Sequence, residues 1–199
     1  MGGTAVADLV SGDFSPSGHL AMSFPRCDGQ IPIRYNHKNT GRPSKWKVPP
    51  TPTHKFGNKP YSSCYMFTPN TPLYPFGYGL SYTEFEYDRI EVVNPEVAMG
   101  ENVVIRARVT NVGDSEGVTV AQLYMRDLVA STTRPVRELK GFQRVTLAPG
   151  EQTEVVFELT IQDLAFYGKD MVKKVEPGKF QVWISGDSAS GTLAEFEVK

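Results

Sequence analysis

"VVIRARVT", residues 103–110, decides the fold class. Val103, Ile105, Ala107 and Val109 alternate with Val104, Arg106, Arg108 and Thr110, and a period of two is the mark of a strand with one face in a core and the other mostly wet. Read outward from it, the surrounding sequence repeats the texture. "FEYDRIEVV" before it turns Phe85 and Tyr87 inward and, after a one-residue slip, Ile90 and Val92. "VTVAQLYMR" after it is apolar on both faces and is expected to be central in its sheet. "FQRVTLAPGE" ends in a Pro-Gly turn, "TEVVFELTI" buries Val155, Phe157, Leu159 and Ile161, and "GKFQVWIS" and "TLAEFEV" align Phe180, Val182 and Ile184 in one row and Ala194, Phe196 and Val198 in another. Seven short strands separated by Gly, Pro, Asn and Asp turns predict a β-sandwich from about residue 81 to 199.

Upstream the texture is different. Ten of the fifteen prolines lie between Pro25 and Pro75, and each removes a backbone donor and pushes its predecessor toward extended geometry, so this third of the chain is not ordinary helix. Before it, Val6, Leu9 and Val10 suit the last turns of a helix closed by Gly12, and "HLAMSFP" reads as a short extended piece. Between the two regions stands "TPLYPFGYGLSYT", residues 71–83, where Tyr74, Phe76, Tyr78 and Tyr82 are interleaved with Gly77 and Gly79. Two readings suit it: rings wedged at a domain junction, with glycines where a side chain would collide, or a sugar-stacking platform. "STTRPVRELKGF", carrying Arg134, Arg137, Glu138 and Lys140, is either a solvated charged loop or a docking element.

The chain has 199 residues with 21 Lys plus Arg against 22 Asp plus Glu. A near-zero balance implies no basic face of the size that nucleic acid or an anionic membrane requires, and no apolar run reaches the roughly 18–20 residues of a membrane span. His19, His37 and His54 have no shared helical spacing, so no metal site is expected. Cys27 and Cys64 are too few for a disulfide framework and can be bridged or idle. No nucleophile elbow, phosphate loop or dinucleotide fingerprint is present, so neither catalytic residues nor a cofactor are expected from the motifs.

Five blocks carry a resemblance: "ADLVSGDFSPSGHLAMSFPR", "GQIPIRYNHKNTGRP", "PLYPFGYGLSYTEFEY", "RPVRELKGFQRVTLAPGE" and "DLAFY". In that order they resemble the C-terminal end of bacterial glycoside hydrolase family 3 β-glucosidases of the periplasmic three-domain kind. The resemblance implies residues 1–45 as the closing part of an α/β sandwich domain, 46–80 as a proline- and aromatic-rich connection, and 81–199 as a fibronectin type III-like domain. It implies retaining hydrolysis of terminal β-D-glucosyl residues by an Asp nucleophile and a Glu acid/base. Both belong to upstream domains of the family, and no carboxylate here matches their motifs, so the chain is expected to be inactive alone. Its work would be to stabilise the catalytic domains and to shape the substrate cleft. Expected partners are those domains, with an oligo- or disaccharide reached only through them, and self-association through exposed apolar surface. The family further implies a periplasmic or secreted location. Tyr74, Phe76, Gly77, Tyr78, Gly79, Tyr82, Arg134 and Lys140 are the domain-interface candidates. The alternative function is a free-standing carbohydrate-binding or protein-interaction module, which would need an exposed aromatic row such as Tyr124, Tyr167 or Trp183.

Overall fold

A computed structural model of the chain describes residues 2–43, 63–65 and 68–199. The proline-rich "WKVPPTPTHKF" and His54, and with them the middle of the expected connection, lie outside the described residues. The sandwich consists of two sheets. One runs β1 (Phe85–Val92), β3 (Val103–Asn111), β6 (Gln152–Leu159); the other runs β2 (Glu96–Val97), β10 (Thr192–Val198), β9 (Gly178–Ser185), β4 (Gly117–Asp127), β5 (Glu138–Leu147). A two-residue pair, β7 (Phe166–Tyr167) with β8 (Lys173–Lys174), stands apart. The seven expected strands are all present, three facing four. The sequence reading missed β2, β7 and β8, which at two residues each are too short to show a period.

The core forms where the periodicity places it. Val103, Ile105, Ala107 and Val109 of β3 meet Leu123 and Met125 of β4, Val155 and Leu159 of β6, and Phe180, Val182 and Ile184 of β9 in one buried cluster. Phe180 stacks on Phe196 at 5.1 Å between ring centroids. The slip in β1 has a cause. Asp88 pairs with Arg108 and Glu91 with Arg106, so Arg89 and Ile90 together oppose Ala107, and Arg89 takes a left-handed φ of 48°. This two-against-one bulge returns Ile90 and Val92 to the core side.

One expectation holds in part. Ile161 packs half-buried against the core, but β6 ends at Leu159 and Ile161 opens the one-turn helix α2 (Ile161–Leu164). Asp163 stops the strand: its carboxylate accepts both the N–H and the hydroxyl of Thr160, at 2.8 and 2.7 Å, an arrangement that starts a helix.

Asn111, at the end of β3 and fully buried, holds the turns at one end of the sandwich. Its amide donates to the carbonyls of Ser115 and Leu147, at 2.8 and 2.9 Å, and its oxygen accepts from the Thr83 hydroxyl and the Gly113 N–H.

The N-terminal helix α1 (Gly2–Ser11) ends at Gly12, whose φ of 85° permits the left-handed turn, and none of its residues is buried. The extended piece expected at residues 19–24 is present. It runs antiparallel to 74–79, with the Leu20 N–H donating to Tyr78, Gly77 to Leu20, Phe24 to Tyr74 and Leu73 to Phe24, each at 2.8 Å.

Candidate functional site

The aromatic stretch and residues 15–43 fold onto the outer face of β4 and β9. Alternation sends Leu123 and Met125 into the core and turns Gln122 and Tyr124 outward, yet Tyr124 is 0% exposed because the N-terminal segment covers it. Gly77 is the point of closest approach. Its φ is 80°, and a Cβ there would lie 2.1 Å from Gln122 Oε1 and 2.8 Å from the Tyr124 hydroxyl. Its carbonyl accepts from Gln122 Nε2 at 3.1 Å and also faces His19 Nδ1, while the Tyr124 hydroxyl donates to Gln122 Oε1. Burial pushes the Tyr124 phenol well above the ordinary tyrosine range; nearby Tyr35 and Asp187 act in the same direction and Arg137 opposes them. The Tyr124 group therefore stays a neutral donor. Tyr35 completes the cover, stacked on Phe76 at 4.2 Å and meeting Tyr124 edge-on at 6.0 Å. At Gly79 a Cβ would press on the Gly18 carbonyl at 2.8 Å, so both glycines are required by close contact.

The other rings divide. Tyr78 is half-buried and packs on Tyr74 at 5.1 Å, but Tyr74 and Tyr82 are largely exposed, at 41% and 55%. Tyr82 still anchors α1, its hydroxyl donating to the Leu9 carbonyl at 2.6 Å.

Arg134 and Lys140 belong to a separate ion-pair cluster. Glu138 receives Arg134 Nη2 at 2.9 Å and Lys140 Nζ at 3.7 Å, and Arg134 also faces buried Asp127 at 3.8 Å and lies over the Phe166 ring. Burial raises the Asp127 carboxyl above its ordinary value, and Arg134 works against that shift. The segment is not a solvated loop: Glu138 and Lys140 are in β5, and the Val136 N–H donates to the His37 carbonyl at 2.9 Å. Arg137 stacks on Trp183 at 4.3 Å and donates to the carbonyls of Ser188 and Ser190. Tyr35 and Gln122 are the site residues that the sequence reading did not single out as interface. A glutamine inside a strand apolar on both faces was the available signal for Gln122.

Tyr124, Tyr167 and Trp183 do not form the exposed aromatic row of a carbohydrate-binding module: Tyr124 is buried, Trp183 is half-covered by Arg137, and Tyr167 lies on β7, outside the sheet of the other two. Cys27 is an exposed free thiol, so the two cysteines are not bridged to each other. Away from the seam, Val6, Val10, Phe14, Met22, Ile31 and Leu80 are exposed. They leave the N-terminal region with more uncovered apolar side chain than a closed surface needs.

The comparisons with known proteins divide the chain at the same seam. Residues 1–82 match the glycosyl hydrolase family 3 C-terminal domain and residues 119–188 the fibronectin type III-like domain. The periplasmic beta-glucosidase of Salmonella typhimurium is 46% identical over 197 residues, covering 99% of this chain and 25% of the relative. A putative beta-xylosidase of Formosa agariphila is 35% identical, covering 100% of this chain and 24% of the relative. The crystal structure of a beta-glucosidase from Listeria innocua in complex with glucose superposes with a TM-score of 0.85 at 43% identity, over 97% of this chain and 26% of that one. The chain thus spans about a quarter of the length of the relatives it matches. In sequence and in fold it belongs to glycosyl hydrolase family 3, as the C-terminal portion of such an enzyme.

Proposed function

We propose that this chain is the non-catalytic C-terminal portion of a retaining β-glucosidase-like hydrolase, stabilising the catalytic domains and shaping the rim of their substrate cleft. The observation that carries this reading is the exposed apolar face of α1 and residues 14–31, on the region that matches the family 3 domain. Uncovered, such a face invites a partner, and the upstream domains of the family are the partner it fits. Residues 1–45 close the α/β sandwich domain, 46–80 connect, and 81–199 form the accessory domain. In this arrangement Phe76, Gly77, Tyr78 and Gly79 hold the two parts of the chain together, while Tyr74 and Tyr82 remain available to the upstream domains. Arg134 and Lys140 brace the adjoining loop.

The parent reaction is the hydrolysis of terminal β-D-glucosyl residues, with a β-xyloside the rival that the Formosa relative raises. The location is periplasmic or secreted, a reading supported by the Salmonella relative, a periplasmic beta-glucosidase. Two measurements test the reading. The purified chain is expected to release no chromophore from an aryl β-glucoside above buffer. It is also expected to restore thermal stability and turnover to a family 3 β-glucosidase expressed without the matching portion. Glycoside hydrolysis by the chain alone, lost on substituting one of its own carboxylates, would overturn the proposal; so would a truncated enzyme that gains nothing from the added chain.

A further inference from the structure

The near-zero net charge conceals a segregation. Between Asp28 and Glu84 the sequence holds no Asp or Glu, while Arg34, Lys38, Arg42, Lys45, Lys47, Lys55 and Lys59 all fall there. The described part of this stretch meets the sandwich at a cleft of about 350 Å³ whose wall includes Arg34 from the N-terminal segment and Arg126 and Arg137 from the sandwich. No carboxylate lines it. Arg137 is held rigidly, stacked on Trp183 and bonded to two carbonyls. Burial lowers its pKa, and the neighbouring Tyr124 and Asp187 act against that shift. The side chains of Arg34 and Arg126 have no ion-pair or hydrogen-bond partner among the described residues.

We propose that this cleft binds a carboxylate-bearing oligosaccharide, an acidic sugar whose carboxylate is gripped by Arg34 and Arg126 against the Arg137–Trp183 stack. Guanidinium forks match the planar carboxylate. The rest of the wall, with Asn70, Thr71 and Ser188 beside the Tyr35 ring, offers the mixture of amide, hydroxyl and apolar edge that a hydroxylated ring needs. The volume suits one or two sugar rings better than the broad footprint of a protein surface. This inference does not rest on the docking of the catalytic domains, since every residue in it belongs to this chain.

Isothermal titration of the full chain with trigalacturonate tests it, with cellotriose, sodium sulfate and pentaglutamate as parallel arms. Saturable binding of trigalacturonate that weakens with added salt is expected, with none of cellotriose. Arg126→Gln and Arg34→Gln should each weaken it by roughly tenfold, the loss of one charge-assisted bond, with unchanged melting temperature because neither side chain has a partner among the described residues. Absence of saturable binding, equal affinity for cellotriose, or indifference to both substitutions would overturn the proposal. So would binding of pentaglutamate or sulfate as tight as that of trigalacturonate, which would make the cleft a general anion or acidic-peptide site.

Discussion

Replacing Gly77 by alanine should open the seam, and the structure allows its cost to be worked out against a control. Gly150 shares the positive φ, 72° against 80°, but a Cβ there meets nothing within 4 Å. Gly150→Ala therefore measures the left-handed strain alone, about 1–2 kcal/mol. At Gly77 the same strain applies, and the methyl also needs the space of Gln122 Oε1, 2.1 Å away. Gln122 must move, and with it go the bond from its amide to the Gly77 carbonyl and the bond it accepts from Tyr124. Leaving one buried polar group without a partner adds about 1–3 kcal/mol, so Gly77→Ala should cost about 2–5 kcal/mol in all. For a chain of this size that is on the order of 10 °C in Tm. Urea denaturation followed by near-ultraviolet circular dichroism reads the free energy, a thermal melt reads the Tm, and hydrogen exchange reads where the chain opens. Exchange should rise first at residues 19–24 and 74–79, with β3 and β6 still protected. If Gly77→Ala and Gly150→Ala differ by less than about 0.5 kcal/mol, the contact at Gln122 carries no energy and the reasoning is wrong.

Asn111→Ala removes the amide that serves two carbonyls in a fully buried site, and should lower the urea-derived stability by about 3 kcal/mol; a loss under about 1 kcal/mol would mean that water replaces it. Leu123→Ala, in the centre of the core, should cost about 2–5 kcal/mol by calorimetry without changing sheet content. Asp88 is held below the ordinary carboxyl range of about 3.9 by its hydrogen bond from Arg108, so the folded state releases this proton more readily than the unfolded one. The stabilisation is thus present above that value and lost as the pH falls through the lower folded-state value. Asp88→Asn should flatten the acid limb of the urea midpoint between pH 5 and 2, and an unaltered limb would refute the assignment.

How much of this was legible varies with the range of the interaction that decides it. The alternation of β3 and the slip of β1 are local, and the side chains carry them whatever lies across the sheet. The position of β4 was equally plain, because Val118, Val120 and Tyr124 on one face and Ala121, Leu123 and Met125 on the other make it largely apolar on both. The seam was not legible in the same way. Tyr74, Phe76, Tyr78 and Tyr82 have no period that ranks them, and Phe76 is covered while Tyr82 is exposed because Tyr35, far away in sequence, stacks on one and not the other. Arg134 and Lys140 read as loop charges for a related reason. Their partners Asp127, Glu138 and Phe166 come together only when β4, β5 and β7 are assembled.

The burial of Tyr124 and Gln122 decides how the two matched regions relate. An isolated sandwich can leave the outer face of a sheet in water, and outward positions then carry polar or charged residues. Here the outward row of β4 holds a fully buried phenol and an amide whose partners, Gly77 and Gly186, lie outside the strand, with Gly77 in the aromatic stretch. Stripped of residues 15–43 and 73–82, the same row would expose the Tyr124 ring and leave the Gln122 amide without one of its acceptors. The sandwich sequence has therefore been fitted to its cover. Gly77 and Gly79, which admit that cover at contact distance, hold the N-terminal region in place, so the exposed apolar side chains of α1 and residues 14–31 stand on a platform the sandwich itself supports.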